Sequence, residues 1–503
     1  MPRDNRGSCV TARSGTAAVS NKRIHQMMGR QLHAEVMRDA LTLNEIAEAL
    51  MTRIETLNPI LNAFVDADRQ DVVNQIALIE QRRASGQPLP LLGAAFSIKD
   101  NLWLGGRPAT YGSPLYRDFI APRDSASVAR LKTMGALCVG VTNSAELACK
   151  GHTSNPTHGA TRNPWNLETT PGGSSGGAAA AVAAGMGPFA LGTDAGGSVR
   201  RPAAHTGLVG FKPSHGAIPD PEGFIDPSQD ISDIGVLTKD VEDCAWLLDA
   251  LVHLDRHDPR SVPIMTSGLN AFGAALCQPV PRRRRVAVSS DLGCGFALDT
   301  DVAEAFEALI AELGSMDVEV IRASPQWPSG TGEYPLLKQQ QAGLAACFGT
   351  QQAQLPGAFG SGISEQIAQG RLVSGIDYAR DNWRKRDLYR VLTDFFDRFD
   401  YLICPTAPVE AWAIEQDYPA EIGGRPASPR GHAAFTPLFN YCQVPALSLP
   451  YARGRNGLPL GAQIVGPRFS DIELVVFAHD LERQIGQSFD SPIWLGESLT
   501  AQG

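Results

Sequence analysis

GGSSGGAAAAVAAGMGPFALGTDAGGS, residues 172–198, decides how the whole 503-residue chain is read. No charged side chain lies between Glu168 and Asp194. A membrane span is excluded, because a spanning helix takes about 20 mostly apolar residues. Glycine pairs, two serines and Pro188 interrupt this run. A flexible Gly/Ser linker does not enclose an alanine run followed by a compact apolar segment. What remains is a loop-to-helix arrangement repeated in tandem. Ser174 and Ser175 stand where an N-cap belongs, 178–184 is a strong helix former, and Gly185 can end that helix. Residues 188–193 read as a short buried strand, 194–197 as a turn, and 198–205 as a second helix start. Both serine sites then fall at helix N-termini. Unpaired backbone N–H groups there favour negative charge of the kind a tetrahedral oxyanion develops. Gly196 and Gly197 let the main chain come close to a reacting carbonyl, although tight strand-to-helix packing would also use them. A phosphate cradle does not fit. GxxxxGK[ST] is missing, and Gly185, Gly187 and Gly192 miss the GxGxxG spacing.

Extended to Gly216, the run GGSSGGAAAAVAAGMGPFALGTDAGGSVRRPAAHTGLVGFKPSHG resembles the signature segment of the amidase signature family of serine hydrolases. The resemblance implies a Ser-cisSer-Lys triad. Ser198 in DAGGSVR matches its nucleophile. Ser174 in PGGSSGG matches the bridging serine, held by a cis peptide after Gly173. Lys99 in FSIKDN matches the lysine. The family interval between relay and nucleophile fits Ser174, with Ser175 as the alternative relay. The backbone amides of Ala195, Gly196, Gly197 and Ser198 are the implied oxyanion hole. Asp194 and Arg200 are expected to pair and hold the turn, and Arg201 to be exposed. His205 lies two turns down the helix and so points away. The implied fold is α/β: a single large domain with a central twisted mixed β-sheet flanked by helices on both faces.

Lys99 ends LLGAAFSIK, an apolar run with the character of a strand. A lysine at a strand end is ordinarily solvated. To act as a base it must be uncharged at neutral pH, which requires burial. Asp100, next along the chain, would face the other side of a strand. Thr142, Asn143 and Glu146 resemble the family's TNxxE turn. The loop that follows makes Ser144, Cys149 and His152 candidates for substrate contact, with plain loop packing as the competing explanation.

The length admits about three domains or one large α/β domain. Family-like segments run from about 43 to 485, so the expected division is a flexible tail at 1–30, a catalytic domain at 31–495 and a C-terminal tail at 496–503. Residues 1–30 are Arg-rich with one acid, Asp4, and a transit peptide is the competing reading. Hydrophobic residues at 43% and charged residues at 19% are those of a soluble globular chain. A net charge of −9 argues against a nucleic-acid partner, and the arginine run 282–285 reads as a solvated linker end. Nine cysteines without CxxC spacing suit buried thiols in a reducing compartment, hence the cytoplasm, rather than a zinc site. No metal or cofactor and no membrane partner is expected. The partner is a small-molecule amide, and a homodimer is an admissible assembly.

Elsewhere, patterning predicts helices from 42 to 58, at 71–85, 125–134, 301–313, 388–399 and 471–484. Strands are expected at 136–141, from 286, at 318–321 and at 401–408. A strand and helix fill 230–254, a surface connection 255–281, and a closing hairpin lies within 439–467, where Asn440 and Gln463 read as structural. Residues 326–375 carry no clear pattern; by resemblance they shape the substrate pocket. The implied function is hydrolysis of a small carboxamide, anilide or related acyl amide through a seryl acyl-enzyme. The alternative is the glutaminase (A) subunit of a tRNA-dependent amidotransferase, although IPDPEGFIDPSQDISDIGVLT lacks the serine-rich SFDQIGP-like run associated with that protein. A Ser-His-Asp esterase and an inactive homologue are the remaining readings, and the latter requires a lost triad position.

Overall fold

Short apolar runs, most of them buried along their whole length, build the sheet. In chain order they are β1 Phe64–Asp66, β2 Ala95–Lys99, β3 Leu137–Thr142, β4 Phe189–Asp194, β5 Val209–Lys212, β6 Asp233–Thr238, β7 Arg284–Val288, β8 Val318–Arg322, β9 Tyr401–Pro405, β10 Ala446–Arg453 and β11 Pro459–Val465. The computed structural model describes residues 21–228, 230–263, 271–278, 283–355 and 357–495. Across the sheet the strands run β1-β3-β2-β4-β6-β5-β10-β11-β9-β7-β8. Pairing is parallel through β3-β2-β4 and through β9-β7-β8. It is antiparallel from β4 across to β9. This is the mixed sheet implied by the signature.

Alternation along the strands sends side chains to two different cores. Phe96, Ile98, Leu191, Phe211, Val236 and Leu447 pack with the helices Ala126–Thr133, Val241–Leu251, Thr300–Leu313 and Asp471–Ile485. On the opposite face, Leu137 and Val139 meet the helix Leu43–Leu61. Ala190 and Leu237 meet Gly176–Ala183, and Leu402 and Ala446 meet Gly375–Phe396 and Pro437–Tyr441. Each fully buried Leu, Val, Ile or Phe stabilises by about 1.5–3 kcal/mol, so both faces are strongly held. Leu43–Leu61 starts where Thr42 and Glu45 form a reciprocal cap and buries Leu43, Ile46, Leu50 and Ile54 on one stripe. Gly176–Ala183 is buried all round, as its lack of any polar side chain requires.

Three expectations change. Composition alone places residues 21–30 in a tail, yet they form a 3-10 helix, Asn21–Gln26, and open the helix Gly29–Met37. Arg30 pairs with Asp240 at 3.0 Å, with Asp243 at 2.8 Å, and with Glu242. The helix expected at 388–399 begins at Gly375, where Ser374 and Asp377 cap each other. The unpatterned 326–375 holds two helices, Leu337–Gln354 and Ser361–Gly370. The expected tails at 1–20 and 496–503 lie outside the described residues, as do Arg282 and parts of the 255–281 connection. Cys138, Cys149, Cys244, Cys404 and Cys442 are buried thiols. Among the described residues no helix is long and apolar enough to cross a membrane.

Candidate active site

β2 delivers Lys99 to the middle of the sheet, where it is 0% exposed. Its Nζ lies 2.7 Å from Ser174 Oγ and 2.9 Å from Thr193 Oγ1, the latter on the neighbouring parallel strand β4. Asn101 Nδ2 donates to the same threonine hydroxyl at 3.0 Å. Among the described residues Lys99 makes no ion pair. Burial pushes its amine down to about 7, against the pull of the Asp194 and Asp226 charges. Asp100 turns away, accepting from the Thr110 amide at 2.7 Å and the Gly112 amide at 2.9 Å.

Ser174 follows a cis peptide bond, Gly173–Ser174. Ser175 occupies the N-cap of Gly176–Ala183 without capping it. Its hydroxyl donates to the Thr193 carbonyl at 3.3 Å, and its N–H donates to the Ser198 carbonyl at 3.2 Å. The hydroxyl that meets Lys99 is therefore Ser174's, while the Ser175 backbone ties one serine loop to the other. Ser198 sits 5% exposed at the far end of this contact.

The loop carrying Ser198 wraps around Asp194, the last residue of β4. Its carboxylate accepts from the amides of Gly197 at 2.7 Å and Val199 at 3.1 Å, and meets Arg200 twice, at 2.8 and 3.0 Å. Burial alone would raise this carboxyl; Arg200 and Asn440 hold it well below the usual carboxylate range. The Gly197 amide, expected among the oxyanion donors, is thus directed at Asp194. Among the described residues the amides of Ala195, Gly196 and Ser198 make no backbone or side-chain hydrogen bond of this kind. Gly197 has φ +103°, and a Cβ there would lie 2.1 Å from Thr436 Oγ1, so only glycine fits.

Arg200 is fully buried and pairs with Asp194 as expected. It also donates to Gln463 Oε1 at 2.5 Å, Asn440 Oδ1 at 2.5 Å and the Thr436 carbonyl at 3.1 Å. Arg201 corrects an expectation: it is 4% exposed, because the helix Arg200–Thr206 is buried on every side and offers it no route to water. His205 does point away, packing edge-on against Trp412 at 5.5 Å.

A cavity of about 760 Å³ opens beside the loop. Tyr334 joins the two: it lines the cavity, and a Cβ on Gly196 would lie 2.5 Å from its hydroxyl. Cys149, Gln366, Arg430 and His432 line it as well. Of the three candidate contacts, Cys149 is at this cavity. Ser144 is buried with its hydroxyl on the Ala145 carbonyl at 3.2 Å, and His152 Nδ1 meets Thr170 Oγ1 at 2.9 Å. Neither of those two lines it. Another cavity, of about 540 Å³, lies along Leu43–Leu61 beside His25 and Arg53, on a different element.

Sequence reasoning missed Thr193, Asn101, Thr436 and Tyr334. Thr193 directly precedes Asp194 and meets Lys99 only across the sheet, so no local spacing signals it. Tyr334 lies in the unpatterned region.

A family model described as Amidase matches residues 45–475. An acylamidase from Rhodococcus erythropolis is 32% identical over 485 residues, covering 92% of this chain and 96% of the relative. The A subunit of the glutamyl-tRNA(Gln) amidotransferase of Symbiobacterium thermophilum is 31% identical over 463 residues, covering 87% of this chain and 92% of that relative. Among solved structures, a bacterial aryl acylamidase of the amidase signature family superposes with a TM-score of 0.86 at 27% identity, over 95% of this chain and all of that one.

Proposed function

The chain belongs to the amidase signature family, and from that premise we propose that it hydrolyses a small acyl amide or anilide through a seryl acyl-enzyme. The observation that carries this reading is the buried Lys99 amine, which has no ion-pair partner among the described residues and lies 2.7 Å from the Ser174 hydroxyl.

Ser198 Oγ attacks the amide carbonyl carbon. Its proton passes to Ser174 Oγ as the Ser174 proton passes to neutral Lys99. With its pKa near 7, Lys99 has a sizeable neutral fraction at neutral pH and can both take and return a proton. The amides of Ala195, Gly196 and Ser198 receive the developing oxyanion, each such donor being worth about 3–4 kcal/mol of barrier. Collapse breaks the C–N bond, and the relay returns the proton to the departing amine. Water then attacks the ester, releasing the carboxylate and restoring Ser198. The cavity beside Tyr334 receives the substrate, with Cys149 at its wall.

Fluorophosphonate labelling tests the assignment. Ser198→Ala is expected to abolish labelling and Lys99→Ala to slow it by several orders of magnitude. Labelling that survives Ser198→Ala, or full activity in Lys99→Ala with loss on a histidine substitution, points instead to a Ser-His-Asp enzyme.

A second reading is the glutaminase component of a tRNA-dependent amidotransferase, supported by relatives of that name at similar identity. Glutamine turnover by the isolated chain, set against a panel of aryl and alkyl amides, separates the two. Faster hydrolysis of glutamine than of any amide in the panel favours the amidotransferase role.

A further inference from the structure

Arg201 is a buried cation that the mechanism above leaves unused. Among the described residues it makes no ion pair. Nη1 donates to the Gly196 carbonyl at 2.9 Å, Nη2 donates to the Gly173 carbonyl at 3.1 Å, and Nε has no partner. Gly196 belongs to the loop that carries Ser198. Gly173 is the residue joined to Ser174 by the cis bond. One guanidinium therefore spans the two loops whose serines must exchange a proton.

Among the described residues no acid of its own pairs with that charge. The one carboxylate of the Ser198 loop, Asp194, is already bound to Arg200, and that pair is neutral as a whole. Burying a charge without an acid is costly, and a hydrophobic side chain of similar length would pack at this position without that cost. Burial pushes the Arg201 guanidinium down to about 10, which leaves it charged at neutral pH.

We propose that Arg201 is a positioning residue that clamps the nucleophile loop to the relay-serine loop and supplies a fixed positive charge beside the oxyanion site. The inference rests on the proposed triad and deepens it. Two consequences follow from one side chain. The clamp fixes the separation of Ser198 and Ser174, so loosening it slows the chemical step rather than binding. The charge opposes protonation of Lys99. The groups acting on Lys99 are Asp194, Asp226 and Cys149, which favour its charged form, the hydroxyls of Ser174 and Thr193, and Arg201, which disfavours it. Removing the Arg201 charge leaves the acids unopposed, and the lysine becomes harder to deprotonate.

The test is the second-order rate of fluorophosphonate labelling against pH for the unsubstituted chain, Arg201→Met and Arg201→Lys, with folding checked by circular dichroism. Arg201→Met is expected to label about 10²-fold more slowly at its optimum, on the scale of a lost oxyanion contact, with the acid limb moved to higher pH. Arg201→Lys keeps the charge but cannot span two carbonyls. It should label slowly with the acid limb where the unsubstituted chain has it. That contrast separates the clamp from the charge, and a residue that merely supports the fold would leave the acid limb in place in both variants. If Arg201→Met does not fold, slow labelling by folded Arg201→Lys with an unmoved limb supports the clamp, and unsubstituted rates there overturn it. Ser198-dependent labelling with an unmoved limb and unsubstituted rate in folded Arg201→Met overturns this inference alone. Labelling that survives Ser198→Ala overturns the triad and this inference with it.

Discussion

Within residues 172–198 every side chain but Ala195 is buried, whereas on the helix Gly375–Phe396 only Leu388, Leu392 and Phe395 are. The first region carries the serines and has no charge before Asp194; the second exposes Ile376 by 66% and Trp383 by 64%. The ionic groups buried in the first have named partners: Lys99, which reaches the region from β2, meets Ser174 and Thr193, and Asp194 meets Arg200 and two amides. Low polarity there lowers the Lys99 pKa and strengthens each hydrogen bond. The exposed helical region has no such constraint and can vary in side chain at little cost to the fold. The Lys99–Ser174 contact thus lies at the sheet, whereas Leu337, Gln341, Glu365 and Gln366 bring the helices Leu337–Gln354 and Ser361–Gly370 to the cavity wall. Ala195 alone within 172–198 is partly exposed, and its neighbour Gly196 approaches Tyr334 of the cavity wall.

The comparison is broken most directly at the triad. Ser198→Ala and Lys99→Ala should each lower kcat/KM by about 10⁴-fold or more, and Ser174→Ala by about 10²–10⁴-fold. An effect of Ser174→Ala no larger than that of a cavity-wall variant would erase the distinction. Next in size is Asp194→Ala, which strands the fully buried Arg200. It should cost about 3–5 kcal/mol in denaturant unfolding, whereas Trp383→Ser should stay within about 0.5 kcal/mol. A pH profile sharpens the contrast. With Lys99 in its proposed role as the free-amine base, kcat/KM should be flat above about 7 and fall below it as the amine takes up a proton, by about tenfold per pH unit. Binding of substrate, read from KM at low pH, should change far less. The smallest effect is expected at the cavity wall: Glu365→Ala should change KM by no more than about tenfold with kcat retained.

Why one region is legible in sequence and the other is not follows from the same contrast. Glycine pairs, an uncharged alanine run and a serine at each helix start are local features with few physical explanations, and they yield β4, both helices and the two serine sites together. Lys99 is legible only through its resemblance, since an apolar strand ending in lysine is common. Arg201 misleads because a lone arginine on a helix reads as solvated; only the burial of Arg200–Thr206 on all sides overturns that. Gly375–Phe396 is overlooked before 388 because charged residues fill most of its first turns, although Ser374 and Asp377 are a visible cap. Thr193, Asn440, Thr436 and Gln463 reach the site across the sheet, a proximity that spacing along the chain does not encode.

The four partners of Arg200 have a further meaning for synthesis. Asp194 is made early, but Thr436, Asn440 and Gln463 come near the chain's end. A nascent polypeptide still on the ribosome carries both serines and the lysine well before the segment that locks the Ser198 loop. A chain that ends before residue 436 therefore holds Asp194 and both serines but lacks three of the four groups that bind Arg200.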